Sequence, residues 1–420
     1  MKKIIAWILI CVMAAAMLTA CGEKPVETQP NQASKPVDSG NSGNAGEDAG
    51  NTGKPQETET VAPPADNASQ GLEFQLNEDG KSYMVTGMGS CSDTHLVIPA
   101  QHEGLPVTAI RQRAFSQANI TELTLPDSIV EIGNSAFERT ALTSVTIPGT
   151  VKTVMSGAFF NCTKLMEAVV EEGVEVLERD VFGMCYTFEK LTLPSTIKSL
   201  GENIVRETAY YKNAANWENG VMYIGSYLIT ADPTLSGNYT VKDGTTVVAG
   251  YAFNYCSELT GVVFPSGIQA IGEGVFNGCE KLASVTLPDN PIRLPELLAA
   301  GLSFVGDPET WEGDSLYFGN HLIEIRSYED TFTIKDGTLS LADKAMGYCY
   351  ADTVVVPASV QYIGKDSLYN GGDVTIQYQG TKAQWEAIEK HEAWDGGGAG
   401  RGTITVEATD GTVGQFGVVK

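Results

Sequence analysis

The stretch LTLPDSIVEIGNSAF at positions 123–137 is followed by VTIPGTVKTVMSGAF at positions 145–159, and the two share their apolar, proline and Ala-Phe positions. The most constant interval joins a proline to an aromatic residue eleven positions later, from Pro126 to Phe137 and from Pro148 to Phe159. Successive proline positions lie 22 or 23 residues apart within three blocks, which run from 126 to 194, from 242 to 288 and from 335 to 357. Such a period is typical of a solenoid of stacked coils.

Each unit of this repeat predicts a strand and a return segment. Val145 and Ile147 alternate with polar residues, which indicates a half-buried strand, whereas Val151 and Val154 lie three apart, which indicates a helical or irregular return. Stacking places like residues above like, so the sequence predicts an α/β solenoid with stacked parallel strands. The expected buried aromatic ladder comprises Phe137, Phe159, Phe182, Phe253 and Phe276.

Two interruptions of the period resemble each other: WENGVMYIGSYLITADPTLSGNYTVKDGT from position 217 and WEGDSLYFGNHLIEIRSYEDTFTIKDGT from position 311. Each predicts an inserted β-hairpin module, near residues 206–240 and 290–333. Aromatic residues on such inserts are candidates for ligand contact. The candidates are Trp217, Tyr223, Trp311 and Tyr317. The alternative is that the same four residues form a small hairpin core against the next coil.

The N-terminal segment has the layout of an export signal. Two lysines, an apolar run and small residues precede Cys21, so residues 1–20 are predicted to be a signal peptide. The stretch LTAC at 18–21 resembles the bacterial lipobox, which implies lipidation of Cys21; a plain cleaved signal is the alternative. Residues 22–70 contain no Phe, Trp, Tyr, Leu or Ile, so residues 21–70 are predicted to be a disordered tether. The predicted location is the bacterial cell membrane, lipid-anchored and facing outside.

Composition argues against several function classes. The chain has 27 Lys and Arg against 52 Asp and Glu, a formal charge of −25, which disfavours nucleic acid as a partner. The membrane is therefore expected to be contacted through the lipid alone. The four histidines lie on distinct coils and are predicted to be surface residues: His95, His102, His321 and His391. No grouping predicts a nucleophile with its base or a metal site, so we expect no enzyme activity, no cofactor and no metal.

Five cysteines share one position of the repeat, three residues after the aromatic position. They are Cys162, Cys185, Cys256, Cys279 and Cys349. We expect them on one buried rung, where they act as small apolar groups. Bridges between adjacent coils, Cys162 with Cys185 or Cys256 with Cys279, are the alternative, and Cys91 has no obvious mate.

The C-terminal residues 379–420 are predicted to cover the open end of the solenoid. Thr381 and Gln384 have the spacing of a capping box at the start of a short helix. Trp385 and Ile388 on that helix would pack on the last coil. A Gly-rich linker and two short strands are expected to follow, with a partly disordered appendage as the alternative.

The repeat pattern L-x-x-V-x-I-P-x-x-V-x-x-I-G-x-x-A-F-x-x-C-x-x-L resembles the BspA-type leucine-rich repeat of bacterial surface proteins. The resemblance covers about residues 83–385, within a solenoid predicted over 71–378. Members of that family are secreted or surface-attached and are considered binding proteins. The resemblance implies a non-catalytic surface protein, expected to be a monomer, that contacts a protein or polysaccharide in adhesion or scaffolding. The alternative is a glycan- or nutrient-capture lipoprotein.

Overall fold

The repeat appears in the structure as a stack of coils joined by parallel strands. The structure is a computed structural model and describes residues 67–296, 298–299, 302–396 and 402–416. The predicted signal peptide, Cys21 and most of the predicted tether lie outside these residues.

The first block of coils precedes the first inserted module. Its strands are β1 Glu73–Leu76, β2 Tyr83–Gly87, β3 His95–Val97, β4 Gln101–His102, β5 Leu105–Ile110, β6 Glu122–Thr124, β7 Glu131–Ile132, β8 Ser144–Ile147, β9 Thr153–Val154, β10 Glu167–Val170, β11 Val176–Leu177, β12 Lys190–Thr192 and β13 Ser199–Leu200.

Each coil of this block contributes to two parallel ladders. On one ladder, Val145 of β8 pairs with Ala168 of β10, which pairs with Leu191 of β12. On the other, Thr153 of β9 pairs with Val176 of β11. The paired residues lie 23 positions apart, which is the period of the repeat, so the predicted solenoid is confirmed. The return segment, expected to be helical or irregular, therefore carries a second, very short parallel strand.

We call the ladder that contains β7, β9, β11 and β13 the short-strand face, and the ladder of β8, β10 and β12 the long-strand face.

The first module and the next coils follow in the chain. Their elements are α1 Ala209–Lys212, β14 Trp217–Glu218, β15 Val221–Ile224, β16 Tyr227–Ala231, β17 Gly237–Thr240, β18 Val247–Val248, β19 Leu259–Val263, β20 Ala270–Ile271 and β21 Ser284–Thr286.

The second module leads into the last coils and the C-terminal cap. The elements are β22 Trp311–Glu312, β23 Ser315–Phe318, β24 His321–Ile325, β25 Thr331–Thr333, β26 Ser340–Leu341, β27 Thr353–Val356, β28 Tyr362–Ile363, β29 Val374–Tyr378, α2 Lys382–Ala387, β30 Glu389–Lys390, β31 Ile404–Ala408 and β32 Gly411–Phe416. Short 3-10 turns at Ala214–Asn216, Ser303–Gly306 and Pro308–Thr310 precede the modules.

Each module begins a new sheet of the short-strand face. In the first, β14, β15 and β16 are antiparallel and β16 then pairs in parallel with β18. The backbone N–H of Ala249 donates to Leu228 of the module, while that of Gly250 donates to Leu200 of the preceding coil. The second module repeats this scheme, and the backbone N–H of Asp343 donates to the carbonyl of Leu294. The short-strand face thus consists of three sheets, of which the second contains β18 and β20 and the third contains β26, β28 and β30.

The aromatic positions form the core as predicted, but in two runs. All five phenylalanines of the expected ladder are buried. Rings stack from Phe115 to Phe188 and again between Phe253 and Phe276. The expectation of one continuous ladder is wrong, because Val205 occupies the aromatic position of the next coil and the first module follows it.

The C-terminal cap agrees with its sequence signals. Thr381 and Gln384 form the capping box at the start of α2. Trp385 is buried and its ring lies 5.2 Å from that of Tyr378 on the last long strand. The tail forms two strands, with β31 parallel to β29 and β32 antiparallel to β31.

Candidate ligand-binding groove

The two tryptophans of the modules make the same contact. The indole N–H of Trp217 donates to the carbonyl of Tyr211 at 2.8 Å, and that of Trp311 donates to the carbonyl of Val305 at 2.9 Å. Each acceptor lies six residues earlier in the chain, and both tryptophans are half-buried. Each indole therefore anchors the start of its module to the preceding turn.

The two tyrosines of the modules are also engaged. The hydroxyl of Tyr223 accepts from the backbone N–H of Lys242 at 3.3 Å, and that of Tyr317 accepts from Lys335 at 3.1 Å. The ammonium of each lysine lies over the ring, 5.6 Å and 5.4 Å from the ring centre. The four candidate aromatics thus lie in the body of each module, and their role in ligand contact stays a prediction.

The prediction that all four histidines lie at the surface is wrong for His321. His321 is fully buried, its Nε2 lies 2.9 Å from the carbonyl of Pro288, and within the described chain its Nδ1 has no partner. Tyr227 holds the same place in the first module and bonds to the carbonyl of Pro194. Burial lowers the pKa of His321. His95 is exposed, and His102 and His391 are half-buried.

A groove begins on the short-strand face and continues over the turns that follow the short strands. Three cavities, of about 240, 310 and 360 Å³, follow one another along it. The first two share Leu200 and Glu273, and the second and third share Glu202 and Tyr251. Shared walls make the three cavities one continuous depression that extends to the first module.

Curvature of the coil stack produces this depression. The segment around Arg293 lies three strand spacings from β30, with β26 and β28 between them. Three spacings amount to ~14 Å between backbones. The Arg293 Nε nevertheless donates to Glu389 at 3.1 Å, so the short-strand face curves inward there.

The described residues that line the groove include four acidic and four basic side chains: Glu178, Glu202, Glu273 and Asp343, and Arg179, Lys198, Arg206 and Arg293. Burial and the negative charge of Asp180 raise the pKa of Glu202, and burial also raises the pKa of Asp180 itself. At the other end, burial raises the pKa of Asp343, although its carboxylate accepts from the backbone N–H of Lys365 at 2.7 Å. Burial therefore disfavours the charged form of these three carboxyl groups.

Tyrosine supplies the largest exposed aromatic surface in the described chain. The exposed tyrosines are Tyr186, Tyr255, Tyr328, Tyr348 and Tyr350. Apart from Tyr328, each is adjacent in sequence to a rung cysteine, so these residues lie along one edge of the coil stack. The repeat pattern does not predict these tyrosines, because its recurring positions are the buried ones.

The cysteines occupy the buried rung predicted for them. All five are buried free thiols, and Cys91 is a half-buried free thiol. The thiols of Cys185 and Cys279 donate to backbone carbonyls of the preceding coil, at 3.2 Å and 3.1 Å. Burial raises the pKa of Cys256 to about 12 and that of Cys279 to about 11.

Two kinds of feature are absent from the residues that the structure describes. Across these residues, no three His, Cys, Asp or Glu side chains are grouped so that they could hold a metal ion. Within the same ranges, no helix has the length and apolar character needed to cross a membrane.

The parallel ladders, the buried rungs and the 22–23-residue coil define a leucine-rich-repeat solenoid. Residues 89–212 and 213–298 match the family described as BspA type Leucine rich repeat region, in six copies. These two ranges make up half of the chain, so the protein belongs to this family.

Solved structures that match this chain come from several bacteria. A leucine rich cell surface protein from Faecalibacterium prausnitzii is 22% identical, over 77% of this chain and 97% of that chain, with a TM-score of 0.30. The pneumococcal vaccine antigen PcpA is 15% identical, over 81% and 98%, with a TM-score of 0.31. A leucine-rich repeat protein from Bacteroides ovatus is 19% identical, over 76% and 65%, with a TM-score of 0.28. No curated protein matches the chain.

Proposed function

We propose that this protein is a non-catalytic, lipid-anchored protein of the bacterial cell surface that contacts a macromolecule in adhesion or surface scaffolding. The observation that carries the proposal is the groove, whose three cavities join over successive coils. Small-molecule sites bury most of their ligand in a concave pocket. A groove that extends over several coils suits an extended ligand instead.

The location rests on the N-terminal sequence. A tether after a lipidated Cys21 would hold the solenoid away from the membrane, and the net charge of −25 leaves the lipid as the only attraction to an anionic bilayer. Membership of a repeat family whose members lie at bacterial surfaces supports the same location.

Replacement of the lipidated residue tests the anchor. Cys21→Ala should move the protein from the detergent phase to the aqueous phase in a detergent partition of whole cells, or block its processing. Cys91→Ala, which alters a half-buried cysteine outside the signal, serves as the matched control and should leave partition unchanged. Protease added to intact cells should degrade the parent protein. Unchanged partition of Cys21→Ala, or full protection from the protease, contradicts the proposed location.

A further inference from the structure

The end of the groove beside the first module holds a two-ring platform. Tyr251 and Tyr255 both line the cavity of about 360 Å³. The side chain of Tyr255 is 64% exposed, and Tyr251 is half-buried. Both rings belong to one turn of a single coil, so they present neighbouring aromatic surfaces to the same cavity.

Glycines of the next coil make room for these rings. A Cβ added to Gly274 would lie 2.6 Å from Cζ of Tyr251, and one added to Gly278 would lie 2.6 Å from Cδ1 of Tyr255. Each ring therefore lies directly against a glycine backbone. A positive φ does not by itself require glycine at this position. Asn203 occupies the position of Gly274 in an earlier coil and has a φ of 60°.

Hydrogen-bonding groups surround the platform. Asn254 accepts from the side chain of Asn277 at 2.8 Å, and Asn203 donates to Glu202 at 3.2 Å. Within the described residues, these bonds leave the amide N–H groups of Asn254 and the amide oxygen of Asn203 without a partner. The guanidinium of Arg206 lines the same cavity and is exposed. Donors and an acceptor thus lie beside two aromatic rings.

We propose that the groove binds a neutral polysaccharide, with Tyr251 and Tyr255 stacking on sugar rings while Asn203, Asn254 and Arg206 hydrogen-bond to sugar hydroxyls. A sugar ring presents an apolar C–H face edged by hydroxyl groups, and both features match this cavity. The net charge of −25 disfavours an anionic polymer. The inference rests on the proposed function and names the ligand class of the same groove.

The second module offers a natural comparison. Tyr348 is the counterpart of Tyr255, 93 residues later, and is 57% exposed. Lys344 stands where the first module has Tyr251, and its ammonium pairs with Glu296 at 2.7 Å. The second module therefore replaces one ring of the platform by an ion pair.

Native electrophoresis tests the proposal with defined probes. The full-length chain, in mild detergent, is run in gels that contain soluble starch, yeast mannan, galactomannan or xyloglucan, with heparin as the anionic comparison. At least one neutral polymer should retard the protein and heparin should not. Tyr251→Ala and Tyr255→Ala should each weaken that binding at least about 10-fold, as expected when a central aromatic contact is removed. Tyr348→Ala is the matched control and should bind like the parent.

A second variant keeps the Tyr255 ring but changes its position. Gly278→Ala keeps both tyrosines but pushes the Tyr255 ring away from its glycine, so it should also weaken binding. Circular dichroism checks that each variant is folded. Retardation by no neutral polymer, by heparin alone, or equally for parent and Tyr255→Ala overturns the proposal.

The outcomes also separate this inference from the function on which it rests. A surface-anchored chain that binds immobilised proteins but no polysaccharide overturns the ligand class alone. A chain that fails the partition and protease tests overturns the proposed location, whatever the gels show.

Discussion

Phe159 lies at the centre of the first aromatic run, and its truncation measures how strongly the coils depend on one another. The ring is fully buried, with ring centres 5.3 Å from Phe137 and 5.7 Å from Phe182. Truncation of a core phenylalanine to alanine costs ~3–5 kcal/mol. Because stacked neighbours are lost on both sides, we expect Phe159→Ala to lower the free energy of unfolding by about 4 kcal/mol.

The adjacent residue provides the control. Phe160 is half-buried and lies against Gly183, so Phe160→Ala should cost only about 1 kcal/mol. Urea unfolding followed by circular dichroism gives both values. Amide exchange should show the first loss of protection in the coils of Phe137, Phe159 and Phe182, because each coil contacts only its neighbours. Equal stability of the two variants would refute the assignment of Phe159 to the buried stack.

Three further predictions concern the thiols, the buried histidine and the modules. Iodoacetamide should label Cys256 only after unfolding, because burial raises its pKa to about 12, whereas Cys91 should react in the native protein. Mass spectrometry of the labelled native protein checks this, and a label on Cys256 but not on Cys91 would contradict it. Burial lowers the pKa of His321 from 6.5, so the unfolded chain binds more protons and the free energy of unfolding should fall as the pH drops below about 6.5. His321→Tyr should make the free energy of unfolding less dependent on pH. The same pH dependence in the variant and the parent would contradict the burial of His321. Replacing both Trp217 and Trp311 by Ala should lower the Tm and leave polymer binding intact, because each indole anchors its module to the preceding turn. Weaker binding by the double variant than by either single variant would instead assign both residues to the ligand surface.

Sequence predicted the periodic features of the fold because stacking places equivalent residues on one rung. The short strands were missed, since two residues are too few to show alternation. His321 was misassigned from its residue type, although its alignment with Tyr227 gives it an inward position in the second module. The groove could not be predicted, because curvature brings together residues such as Arg293 and Glu389, which lie 96 positions apart.

The central claim, that the groove is the ligand-binding surface, is tested most directly by hydrogen–deuterium exchange. The full-length chain is measured alone and with each neutral polysaccharide. Slower exchange is predicted in residues 201–206 and 250–255, which line the cavity beside the first module. Protection confined to the long-strand face or to the second module, or no change with any polymer, would contradict the claim.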